Sequence, residues 1–275
     1  MPDLPRIKET IDKEVRIFDL DKDEFRSEPV VVEFTRVLFD QGRVANKIYR
    51  VKNVRFIKCL FNHQDISNIN FYKCSFIDCT FNGAKIESCE FHKCDFVDSV
   101  FYKISFSKVY IDPKSFRFGW KWYRFFANVN VWLFQMLYRN SKDMHQEVFA
   151  MRADERFLFY RRYEYLFGKE RSLIRFIFGL FYDFLLGSGY GIMNALVVTL
   201  LGIAGFAWLI DGHLTQNKDF IDALYFAVVS FTTVGYGDIS PARTSTPLII
   251  TMFFLLISVI WCSVVTAIVV KRIVK

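Results

Sequence analysis

Residues 54–113 run VRFIKCLFNHQDISNINFYKCSFIDCTFNGAKIESCEFHKCDFVDSVFYKISFSKVYIDP. Every fifth residue from Phe56 onward is apolar: Phe56, Phe61, Ile66, Phe71, Phe76, Phe81, Ile86, Phe91, Phe96, Phe101, Phe106 and Ile111. Nine of these twelve are Phe, so a large ring recurs at one place in the unit. Two residues before each stands a small or mid-sized residue, among them Cys59, Cys74, Cys79, Ala84, Cys89, Cys94 and Ser99. The other three places are mostly polar. Side chains repeat every 3.6 residues on an α-helix and every 2 on a flat strand, so a strict period of five stays on neither face. A different geometry is required.

The pattern resembles the pentapeptide-repeat family. That resemblance implies a right-handed, four-sided β-helix with one pentapeptide per side and about twenty residues per turn. Residues 54–113 then make three coils, about 14 Å of rod at the usual strand spacing of about 4.8 Å. Residues twenty apart stack, so Phe56, Phe76 and Phe96 form one inner column and Phe61, Phe81 and Phe101 another. Cys59 lies beneath Cys79, and Cys74 beneath Cys94. Five of the six cysteines are read as compact interior hydrophobes. Their five-residue spacings fit no zinc motif. His63 and His92 fall at outward places. Gln64, a large polar residue at an inward place, marks a bulge or a hydrogen-bonded defect. The open ends of such a coil need covers. The β-prone residues 28–39 are the candidate cap in front, and the aromatic stretch after Pro113 is the candidate behind.

Composition divides the rest. Residues 184–210 and 244–270 carry no Asp, Glu, Lys or Arg, and each run is 27 residues long. About 20 apolar residues cross the roughly 30 Å hydrocarbon layer as a helix, so two spans are predicted. Lys and Arg number 36 against 29 Asp and Glu, and residues 114–186 hold 13 of the former against 7 of the latter. Lys271, Arg272 and Lys275 follow the second run. The stretch between the runs sets Lys218 and Arg243 against Asp211, Asp219, Asp222 and Asp238. Positive charge favours the cytoplasmic side, which predicts a multi-pass cell-membrane protein with both termini cytoplasmic. Helices are expected near 121–139 and 142–166, with Asn140-Ser141 between them and Ser141 as a cap. Residues 171–182, basic first and apolar afterwards, read as an amphipathic helix in the headgroup plane, in contact with anionic lipid.

Between the spans, residues 219–231 have helix length and Thr232-Thr233-Val234-Gly235-Tyr236-Gly237-Asp238 does not. Non-helical backbone at membrane depth is tolerated only where it is enclosed by protein or lines water. A dehydrated cation must recover its lost water from the protein, and backbone carbonyls turned toward one axis supply it. Gly235 and Gly237 reach the angles this needs. Residues 189–271 resemble the two-span pore module of potassium channels. The resemblance implies that the carbonyls of Thr233, Val234, Gly235 and Tyr236, with the Thr233 hydroxyl, hold potassium in a filter ending at Gly237. Four copies surround one axis, which makes a homotetramer. Thr232, Asp238 and Val229 support the filter from behind. Many relatives carry an acidic residue where this chain has Val229, so Asp238 lacks that partner and slow inactivation by that route is in doubt. The inner helix has no glycine from Pro247 to Lys271, where many relatives bend at one. Ser258 and Ser263 lie near the corresponding places, and Thr266 and Ala267 are candidates for the inner mouth.

The expected fold is therefore mixed. Residues 1–53 form an N-terminal cap region, 54–113 the β-helix, 114–188 cytoplasmic coupling helices with the interfacial helix, and 189–275 an all-α pore domain. Neither span carries an arginine series, so strong voltage dependence is not expected. Regulation, by an unknown ligand or protein, is expected to enter through the front of the chain. Mimicry of nucleic acid needs an acidic surface, yet residues 51–113 hold 8 Lys and Arg against 7 Asp and Glu; no nucleic-acid partner is expected. Paired carboxylates, a nucleophile motif and a phosphate loop are missing from the sequence, so neither enzyme activity nor a cofactor is expected beyond K+ as permeant ion. The alternative reading is a non-conducting membrane scaffold that uses the repeat to bind partners.

Overall fold

The computed structural model describes residues 13–20, 28–39, 47–168, 171–187, 190–215 and 219–273. Lys218, Lys275 and the side chains of Lys271 and Arg272 lie outside the described residues. The chain divides into two compact units, residues 1–177 and 178–275.

Short parallel strands build the first unit: β1 (Lys13–Arg16), β2 (Val30–Glu33), β3 (Thr35–Leu38), β4 (Tyr49–Lys52), β5 (Val54–Ile57), β6 (Asp65–Ser67) and β7 (Ile69–Tyr72). They continue as β8 (Ser75–Ile77), β9 (Lys85–Glu87), β10 (Glu90–His92), β11 (Asp95–Val97), β12 (Ser105–Ser107), β13 (Tyr110–Ile111) and β14 (Phe116–Arg117). Three sides of a solenoid are the sheets β2-β5-β8-β11-β14, β4-β7-β10-β13 and β6-β9-β12. Single bridges Arg36–Leu60–Thr80–Val100 make the fourth. Phe56 lies opposite Phe76 and Phe76 opposite Phe96, the step of twenty that a four-sided coil of pentapeptides requires. Their rings stack with centroids 5.0 and 4.7 Å apart, and Phe61, Phe81 and Phe101 stack at 4.4 and 4.8 Å. The Cys79 thiol donates to the carbonyls of Phe56 and Ile77, and Ser99 takes the same place one coil on. Burial pushes the Cys79 thiol up, and the hydrogen bond with the Cys74 thiol, then burial, pushes Cys94 up, so both stay protonated at neutral pH.

The corners carry a signal that side-chain identity hides. Every fifth residue from Asn53 to Lys108 has φ between +47° and +67°, yet Gly83 alone among these twelve is glycine. A left-handed conformation costs a non-glycine residue about 1–2 kcal/mol. Ladder hydrogen bonds hold these corners: Lys58 N donates to Ile77 O at 2.9 Å, and Asp78 N to Val97 O at 3.0 Å.

The ladder exceeds the twelve units at both ends. Strand β2 seats Val30 on Val54 and Val32 on Phe56, a step of 24 where the later coils step 20. Four extra residues between Leu38 and Tyr49 break the five-residue period there. Residues 28–39 are thus largely the first coil, where a cap was expected. Behind, β14 seats Phe116 on Phe96, and Phe116 stands five after Ile111. Five stacked strands at about 4.8 Å each make about 24 Å of rod, where three coils make about 14 Å. Gln64 is half-buried with its amide oxygen accepting from Phe39 N at 3.3 Å, so it is the hydrogen-bonded defect and not a bulge.

Helices α1 (Lys121–Phe125), α2 (Ala127–Asp143) and α3 (Glu147–Phe167) follow. The two expected helices are thus re-divided, with a break at Phe126 and a turn at Met144–Gln146 in which His145 takes φ +54°. Asn140-Ser141 is no interruption and Ser141 no cap; both are buried inside α2. Asn140 instead closes the solenoid. Its amide donates to Val109 O at 2.7 Å and accepts from Val109 N at 3.0 Å, standing where another strand would pair. Trp132 Nε1 donates to Ile104 O at 3.3 Å. The ring column runs on from Phe116 to Phe134 and from Phe134 to Tyr160, so solenoid and helices share one core. Arg152 pairs with Asp112 at 2.7 Å and ties α3 to the same end.

Helix α4 (Leu173–Leu186) runs across the division between the units. None of its residues is buried, and Leu173, Ile174, Ile177, Phe178 and Phe181 are exposed. The second unit continues with α5 (Ile192–Ile210), α6 (Phe220–Phe231) and α7 (Ser245–Ile273). The first uncharged run is therefore split: its start belongs to α4, and the chain breaks at Gly187 and Gly191 before α5. Its 19 residues still reach about 28 Å at 1.5 Å per residue. Both α5 and residues 245–270 of α7 are long and apolar enough to cross a membrane.

Candidate functional site

Helix α6 begins at a reciprocal cap between Asp219 and Asp222. It buries Ala223, Phe226, Ala227 and Ser230, one face at helical spacing. It ends at Thr232, whose hydroxyl donates back to Val228 O at 2.8 Å. Amides of Thr233 and Val234 still bond the last turn, reaching Ser230 O and Val229 O. From there the backbone alternates in hand. Thr233, Gly235 and Gly237 have φ of +59°, +58° and +76°, while Val234 and Tyr236 between them are not left-handed. In an ordinary strand successive carbonyls point to opposite sides. Alternating the hand turns every second peptide over and aligns the carbonyls along one side, leaving alternate side chains on the other. Val234 and Tyr236 are exposed on the isolated chain, Tyr236 by 71%.

Asp238 has a partner that the sequence did not suggest. Tyr225, on α6, donates its phenol to Asp238 Oδ2 at 2.9 Å. Thirteen residues separate the two, and nothing in their spacing singles out the pair. Val229 lines a cavity of about 370 Å³ together with Ser230, Thr233, Gly235 and Thr251. Beyond Gly237, Ala242 N donates to His213 O at 2.8 Å and Thr215 N to Ser240 O at 2.9 Å, tying the loop to the end of α5.

Helix α7 is unbroken through Ser258 and Ser263. One side of it carries Thr251, Phe254, Ser258, Trp261, Val265 and Ile268, spaced 3-4-3-4-3 and buried or half-buried against the unit. Ser258 thus faces the other helices. Ser263, Thr266 and Ala267 are exposed on other sides, and the hydroxyls of Ser263 and Thr266 donate to carbonyls four residues earlier.

Residues 194–275 match the ion channel family, and residues 65–101 match pentapeptide repeats in eight copies. Neither is an enzyme family. Over 55 residues the chain is 38% identical to two-pore potassium channel 4 of Arabidopsis thaliana. That stretch is 20% of this chain and 19% of that protein, so the chain spans about a fifth of the relative's length. With an ion channel match and two apolar helices of membrane-crossing length, this is a membrane protein. The chain joins a pentapeptide-repeat solenoid to an ion channel domain.

Proposed function

We propose that the chain is one subunit of a potassium-selective homotetrameric channel whose filter is Thr233, Val234, Gly235, Tyr236 and Gly237. The alternation of backbone hand from Thr233 to Gly237 carries the reading. It presents main-chain oxygens to an axis, which is what a potassium ion needs after losing its water. One chain supplies one wall of such an axis, and exposed Val234 and Tyr236 await neighbours that brace the filter from outside. The relative is a potassium channel by name. Purified full-length protein in vesicles is expected to pass potassium far faster than sodium and to assemble as four copies. Equal fluxes, or a dimer, overturn the proposal.

Both termini are cytoplasmic on this reading, and α4 lies in the headgroup plane with Arg171 and Arg175 toward anionic lipid. The solenoid biases the pore through α4 and α5 in response to a regulatory ligand or protein. Removal of residues 1–113 is expected to leave selectivity intact and change open probability. Unchanged gating would detach the solenoid from this role.

A further inference from the structure

The outer and inner helices touch at two unlike points. Near the filter, Phe206 and Phe254 lie face to face with centroids 3.7 Å apart, inside a core that includes Ala207, Ile210, Ala223 and Ala227. Two helical turns away, Trp261 Nε1 donates to Thr199 Oγ1 at 2.7 Å, and Thr199 donates in turn to Ala195 O at 2.7 Å. The points are in register, since 206 − 199 = 7 and 261 − 254 = 7 along antiparallel helices. Among the described residues, no apolar core cluster includes Thr199 or Trp261; Ala195, one turn before Thr199, and Ser258, one turn before Trp261, are buried.

We propose that this hydrogen bond is a gating latch: the aromatic core is the pivot, and α7 swings against α5 by breaking the Trp261–Thr199 bond. Helix α7 has no glycine at which to bend between residues 247 and 271, so its lower half moves as a rigid lever. A stacked core resists separation because many contacts are lost at once. A single polar bond between membrane helices is worth about one thermal unit, strong enough to bias two states and weak enough to break. Thr199 keeps its bond to Ala195 O when the indole leaves, so only the tryptophan N–H is left without a partner.

The inference rests on the channel reading, and the test separates the two. Full-length Thr199→Val, Trp261→Phe and the double variant are recorded as single channels in planar bilayers beside the unaltered protein. Each single substitution is expected to shift the open-to-closed ratio about threefold. The double variant should equal either single one, with unitary conductance and reversal potential unchanged. Thr199→Ser, which keeps the hydroxyl, should gate normally. Additive shifts, or conducting variants that gate as the unaltered protein does while their melting temperature falls, overturn the latch and leave a bond that is structural in both states. A silent unaltered protein counts against the channel reading itself.

Discussion

Left-handed backbone recurs in both units, at a period of five in the solenoid and of two in the loop after α6. In the solenoid it turns corners, and eleven of the twelve residues from Asn53 to Lys108 that adopt it carry a side chain. In the loop after α6, two of the three residues that adopt it, Gly235 and Gly237, are glycine. Ladder bonds explain the difference. Nine of the twelve solenoid corners, Asn53 through Ser88 and Asp98, have their amide bonded to the next coil, as Lys58 is to Ile77 O, so the strain of a Cβ is absorbed there. On the proposed reading the carbonyls of that loop are kept for ions and have no such ladder, so the conformation rests on the residue itself.

The largest effect expected from this contrast is at Gly235. Gly235→Ala places a side chain at φ +58°, about 1–2 kcal/mol of strain in every copy around the axis. Potassium-selective flux through vesicles should be lost. Survival of selective flux would mean that the loop is held by something beyond its glycines. Next, Phe76→Ala removes a ring enclosed between Phe56 and Phe96, and denaturant unfolding of the first unit should show a loss of about 3–5 kcal/mol. A smaller loss would show that the column relaxes to fill the gap. Asn140→Ala strands the N–H and C=O of Val109 at the covered end, at about 1–3 kcal/mol, and the Val109 amide should exchange with solvent faster. Unchanged protection would put the closure elsewhere in α2. The smallest effect is at a corner. Lys108→Gly relieves the left-handed strain but frees the unfolded chain, and melting should change by less than the equivalent of about 1 kcal/mol.

The same contrast explains what the sequence made legible. Phe at every fifth place reported the coil, its register and both ring columns, because a buried position repeated along a rod writes its demand many times. The first coil escaped because four extra residues before Tyr49 broke the period, though Val30 and Val32 sit on Val54 and Phe56 as the later strands do. Phe116 kept the period but followed Pro113, which read as an end. Gly235 and Gly237 marked the left-handed turns of the loop after α6, since only glycine takes that angle without strain. Pairs written once stayed hidden: Asn140 with Val109, Tyr225 with Asp238, and Trp261 with Thr199 are single polar contacts between distant residues, and no spacing rule points to them.

The central claim is that main-chain oxygens of Thr233 through Tyr236 replace the water around potassium at a fourfold axis. A reversal potential measured across a planar bilayer holding full-length protein, with potassium on one side and sodium on the other, tests it most directly. The account predicts a potential close to the potassium equilibrium value. A reversal near zero, with both ions carrying current alike, would contradict it.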